Sequence, residues 1–183
     1  MEFINLVDTL NDNKLLLSLI YVLLSFIFAF IIDQVFIRVF RTVVKKSKTN
    51  IDDQIVEVLH KPLYFTILFF GLSISIKLLG PSELLMFYID ASFKTIIIFA
   101  WSTSIYKSFI ILIEWLSRKT DSFNFIQLKT IPLFENLGKI VIFLLLIYFI
   151  MLSWGIDVTA WVASAGILSV VIGFAAKDTL GNL

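Results

Sequence analysis

Long apolar runs interrupted by short polar stretches dominate this chain of 183 residues. A helix needs roughly 20 residues to cross a hydrocarbon core. Against that measure five runs stand out: about Leu15–Phe40, Leu63–Leu79, Phe93–Leu116, Phe134–Trp154 and Ala160–Ala176. The second and fifth are the short ones. Breaks fall where the chemistry favours them. Gly80-Pro81 ends the second run, Pro132 opens the fourth, and Gly155 with Asp157 makes a turn before the fifth.

The pattern predicts an all-α integral membrane domain with five transmembrane helices per chain. Residues 1–14 form a mildly acidic, amphipathic N-terminal segment, 15–154 carry the first four helices, and 155–183 the last. The connection 45–62, KKSKTNIDDQIVEVLHKP, predicts a short soluble helix. Asn50 would cap it, Asp52 and Asp53 suit its electropositive first turn, and Pro62 would limit it from beyond. Ile51, Val56 and Leu59 give that helix an apolar side.

Composition agrees with a membrane setting. The chain is 59% hydrophobic and 16% charged, with a mean hydropathy of +0.96, whereas soluble domains are about 45–50% apolar. No charged n-region leading into a short apolar core opens the chain, so a removed signal peptide is not predicted. Cysteine is absent, which excludes disulfides and thiolate metal sites. The formal net charge of +1 says little, but its distribution says more. Arg38, Arg41, Lys45, Lys46, Lys48, Lys61, Arg118, Lys119, Lys129, Lys139 and Lys177 gather at one side of the spans, against Lys14, Lys77 and Lys94 at the other. The positive-inside rule then puts the N-terminus outside and the C-terminus in the cytoplasm. Trp154 and Trp161 fall at the outer interface and Trp115 at the inner one.

Candidate chemistry is sparse. Asp53, Glu57 and His60 share a helical face, yet two carboxylates and a lone imidazole match no specific ligand spacing, and the expected role is a solvated face. No metal, cofactor or nucleic acid is expected. His60 is the sole histidine, and no nucleophile and base are placed for one site, so an enzyme is not expected. Asp33 and Lys107 lie at similar depth in the first and third helices. An ionisable group at mid-membrane costs about 2.5–3.5 kcal/mol unless compensated, so the two are expected to pair. Glu114 shares a face with Lys107 and lies one turn before Arg118, which neutralises it near the interface. An alternative makes Asp33, Lys107 and Glu114 the relay of a secondary transporter, although the inverted repeat and paired broken helices of many such folds are missing. A non-conducting membrane scaffold is a third reading.

The final helix is different in kind. Ala160, Ala163, Ser164, Ala165, Gly166, Ser169, Gly173, Ala175 and Ala176 make it rich in small residues, which permit close helix approach in lipid. Gly166, Ser169 and Gly173 share one face, and Val170 and Phe174, four apart, form a bulky apolar stripe beside it. A ring of such helices encloses an apolar throat.

Gly155-Ile156-Asp157, Gly166, Gly173-Phe174-Ala175-Ala176-Lys177-Asp178-Thr179-Leu180 and Asn182-Leu183 resemble the pore-lining helix of the mechanosensitive channels of small conductance, the MscS-like family. Ser47 to Asp53 with Lys61-Pro62 resembles the basic connection of members with extra N-terminal helices. The resemblance implies a homoheptameric channel of the bacterial cytoplasmic membrane, opened by tension and releasing ions and small osmolytes during hypo-osmotic shock. It places the constriction at Val170 and Phe174, and the subunit-packing face at Ala163, Gly166, Ser169 and Gly173. The pore mouth and hinge fall at Lys177, Asp178 and Gly181. Helices 1 to 4 become the tension-sensing periphery, with membrane lipids and further copies of the chain as partners. Asp178 stands where some members carry the hinge glycine, which shifts the expected bend toward Gly181. Ile167 and Val171 replace alanines on the facing surface. The cytoplasmic domain of the family is not supplied by these residues, so the chain is expected to be a fragment.

Overall fold

The computed structural model describes residues 13–44, 51–119 and 131–180. Within them the chain forms five helices and no strand: α1 Lys14–Val44, α2 Ile51–Leu78, α3 Glu83–Lys119, α4 Ile131–Ser153 and α5 Thr159–Leu180. Four contain stretches long and apolar enough to cross a membrane, at Lys14–Phe40, Asp53–Leu78, Glu83–Ser117 and Ile131–Ser153. The apolar part of α5, Thr159–Ala175, is shorter. The chain is an integral membrane protein. Most of the N-terminal segment 1–14, residues 45–50 of the basic connection with the expected cap Asn50, and Gly181 lie outside the described residues.

The helices form an open row. Among the described residues α1 packs on α2, α2 on α3 and α3 on α4, and no other pair touches. The interfaces are built from small side chains: Ser18, Ser25 and Ala29 of α1, Ser75 of α2, and Ala91 and Ser104 of α3 are buried. Large side chains such as Phe28, Phe70, Phe99 and Phe143 face outward. The inversion relative to a soluble core has a simple cause. Lipid tails are as apolar as leucine, so burying leucine gains little, while close backbone approach gains dispersion contacts and hydrogen bonds. The Ser75 hydroxyl donates to the Ser18 carbonyl at 2.7 Å and lies 2.9 Å from the Ser18 hydroxyl, stitching α2 to α1. Nearby, a side chain at Gly71 would collide with Ser25 of α1. Gly138 of α4 accepts the Phe109 ring of α3 in the same way.

Two helices depart from the lengths that the apolar runs suggest. Pro62 does not stop a short helix; α2 passes through it without a break from Ile51 to Leu78. A helix-interior proline normally costs about 3 kcal/mol. In a membrane helix the freed backbone groups are re-satisfied by neighbours, and Pro62 is fully buried. One turn later the Thr66 hydroxyl donates to the Pro62 carbonyl at 2.7 Å, and it accepts from Trp101 Nε1 of α3 at 3.0 Å. Packing therefore holds the helix across the proline.

The other departure is α3, which begins at Glu83, ten residues before the apolar run at Phe93. Gly80 ends α2 with φ 67°, a left-handed conformation that glycine adopts without strain. Ser82 then accepts the Leu85 amide at 3.3 Å as an N-cap. Asp90 interrupts the hydrophobic pattern in this added part. It accepts the Ser73 hydroxyl of α2, so its polarity is absorbed between two helices.

Candidate functional site

The junction between α4 and α5 is tightly defined. Gly155 has φ 67°; its amide donates to Leu152 at 3.1 Å and the Ile156 amide to Met151 at 3.0 Å, the paired bonds of a Schellman ending. Trp154 Nε1 donates to Thr95 Oγ1 of α3 at 3.0 Å. Val158 is buried. The turn is thus fixed to α3 just before α5 begins.

Asp157 completes the junction by accepting the Thr159 amide at 2.9 Å. Hydrogen bonds from the Thr159 side chain and then its backbone hold the Asp157 carboxyl below its ordinary range, by favouring the ionised form. A group whose folded value is depressed contributes stability above its unfolded value and loses it as pH falls through the folded one. Amide protection at the start of α5, corrected for intrinsic exchange, is expected to hold from neutral pH down to the ordinary aspartate range and to fall in more acidic solution. Asp157→Ala is expected to lower it already at neutral pH.

Beyond that turn α5 is alone. Every described side chain from Thr159 to Lys177 is exposed, and α5 packs on no other helix among the described residues. Val170 is 58% and Phe174 70% exposed. A Cβ added at Gly166 or Gly173 would meet nothing. Ser169 returns its hydroxyl to the Ala165 carbonyl at 2.7 Å, so it presents a small, satisfied surface. Ala163 lies exposed on the same helix. The structure places these residues on one uninterrupted helix with Lys177 near its end. The Asp178 side chain and Gly181 lie outside the description.

The intramembrane charges are arranged differently from the expected pairing. Asp33 Oδ1 lies 3.0 Å from His60 Nδ1, with the carboxylate 13% and the imidazole 22% exposed. Asp33 does not pair with Lys107, because α1 and α3 lie on opposite sides of α2 and do not touch. His60 accordingly turns into the α1–α2 interface instead of lying on a solvated face with Asp53 and Glu57. Continuation of α2 through Pro62 carries His60 into the membrane helix, where local sequence reads Pro62 as a boundary. Removing one partner leaves the other unpaired at a cost of about 1–3 kcal/mol. In SDS-unfolding of the purified protein, Asp33→Ala and His60→Ala are each expected to destabilise by that order. The double variant should lose clearly less than the sum.

Two comparisons bear on this arrangement. Residues 136–177, from within α4 to near the end of α5, match the family model described as mechanosensitive ion channel, transmembrane helices 2/3. A protein of Aquifex aeolicus (strain VF5), described as an uncharacterized MscS family protein, is 24% identical over 179 residues. That alignment takes in 93% of this chain and 46% of the relative. Over these residues the chain is similar to the MscS-like family. It spans about half the length of that MscS relative. No solved structure matches it. The family match covers most of α4, the fixed turn and α5 as far as Lys177, and leaves α1 to α3 outside.

Proposed function

We propose that this chain forms a tension-gated ion channel in which α5 from several copies, a homoheptamer by family resemblance, lines a central pore. The supporting observation is the contrast along the chain. α1 to α4 meet one another through small residues, while α5, apolar and small-faced, packs on no other helix among the described residues. Copies of α5 approach through Ala163, Gly166, Ser169 and Gly173, and Val170 with Phe174 narrows the resulting throat. Such an apolar ring blocks ions by dewetting, and a modest widening restores water and conduction.

Tension favours the conformation that occupies more membrane area. The row α1–α4, with its outward phenylalanines, is the part in contact with lipid, and the turn fixed to α3 passes its movement to α5. Lys177, Asp178 and Gly181 form the cytoplasmic mouth and hinge. In a bacterial cytoplasmic membrane, with the N-terminus outside, opening releases ions and small osmolytes after hypo-osmotic shock. The test is patch recording from liposomes holding the full-length protein under ramped suction. Currents that appear with tension support the reading. Silence despite verified insertion and assembly overturns it.

A further inference from the structure

Between α2 and α3 runs a cleft of about 600 Å³. Lys61, Lys107 and Glu57 stand at one end of it, and Phe65, Ile96 and Phe99 line the trough beyond. Both lysines lie inside candidate membrane spans, Asp53–Leu78 and Glu83–Ser117. Among the described residues neither has an ion-pair partner. An ammonium within a span needs a counter-charge or water, and the described residues supply no carboxylate paired with either. With Glu57 included, the end of the cleft carries one net positive charge.

We propose that this cleft binds one anionic phospholipid, its phosphodiester held by Lys61 and Lys107 and an acyl chain laid along the trough. Dimensions fit one leaflet. From Lys107 to Thr95, which lines the far end, α3 rises about 18 Å at ~1.5 Å per residue, a little over half of the ~30 Å hydrocarbon core. The level fits as well, because the apolar run of α2 starts at Leu63, just past Lys61. Charge separates this cleft from its neighbour. A second cleft of about 560 Å³ between α1 and α2, lined by Phe28, Ile67, Phe70 and other uncharged residues, has no feature that selects a headgroup. The site depends on the chain lying in a membrane and not on its conducting ions.

Native mass spectrometry of the full-length protein, titrated in detergent with phosphatidylglycerol or phosphatidylcholine, tests the site. A lysine near the membrane surface contributes about 1 kcal/mol toward anionic lipid, so two should favour phosphatidylglycerol by roughly thirtyfold. Lys61→Gln with Lys107→Gln should abolish the preference, and Lys61→Arg with Lys107→Arg should keep it. Lys139→Gln on α4 should leave it unchanged. Ala100→Trp, which fills the trough without altering charge, should weaken both lipids. The proposal is overturned by a preference that survives the double glutamine variant, or by Ala100→Trp binding as the wild type does. Displacement of the lipid by equimolar inorganic phosphate overturns it too, since a free anion would then be the ligand.

Discussion

Phe174→Ser is expected to lower the tension at which the channel opens, and to leave it leaky in unstretched patches. Phe174 is 70% exposed, and no helix among the described residues packs on it. In the proposed assembly it faces the same ring from each neighbour around the axis. An apolar throat stays dry because water gains too little there, and the penalty scales with apolar area. Replacing phenylalanine by serine removes roughly 2 kcal/mol of apolar character per subunit, repeated around the ring. The balance should then move toward the wetted state by several kcal/mol, ample for spontaneous openings. Suction ramps on wild-type and variant channels in the same liposomes measure it. An unchanged threshold would remove Phe174 from the gate. Val170→Ser, a smaller loss of area, should shift the threshold in the same direction by less.

Gly166→Leu should abolish assembly while leaving the chain itself intact. In the single chain nothing lies near a Cβ at Gly166, and leucine favours helix over glycine by up to about 1 kcal/mol, so α5 should be no less helical. Between copies the same side chain would hold the backbones apart. Overpacking typically costs about 1–3 kcal/mol, and a ring repeats it at every interface. Light scattering of the purified variant is therefore expected to show smaller species than the wild type, with unchanged helical circular dichroism. An intact ring would mean that another face of α5 meets the neighbour. Gly173→Leu is expected to behave alike, since its surroundings are equally open.

The same two glycines show how unevenly the sequence spoke. The small face of α5 is legible from spacing alone, because in the proposed assembly it serves as a surface for another copy, and such a surface leaves its whole pattern in the local sequence. The burial of Ser18, Ser25 and Ser75 is not. Serines scattered through long apolar runs are compatible with any rotation of the helix, and only the packing of α1 on α2 tells which of them meet. Asp33 gives the sharpest case. Similar depth pointed to Lys107, yet depth fixes one coordinate of three, and α2 stands between the two helices. The sequence puts His60 on a solvated connection because Pro62 reads as a boundary.

The sequence by itself determined that the chain lies in a membrane, that its segments are helical, and that its last helix differs from the others. Hydropathy, helix length and side-chain size are local properties, and lipid imposes the same backbone rule on every segment. Tertiary structure decided the order of the row, the continuity of α2 through Pro62, the pairing of Asp33 with His60 and the cleft that gathers Lys61 with Lys107. These depend on which helix stands beside which, a matter of close contacts among small residues that carry little hydrophobic signal of their own. It also decided that α5 stands apart from the other helices, which follows from a turn fixed by Gly155, Trp154 and Asp157 against α3.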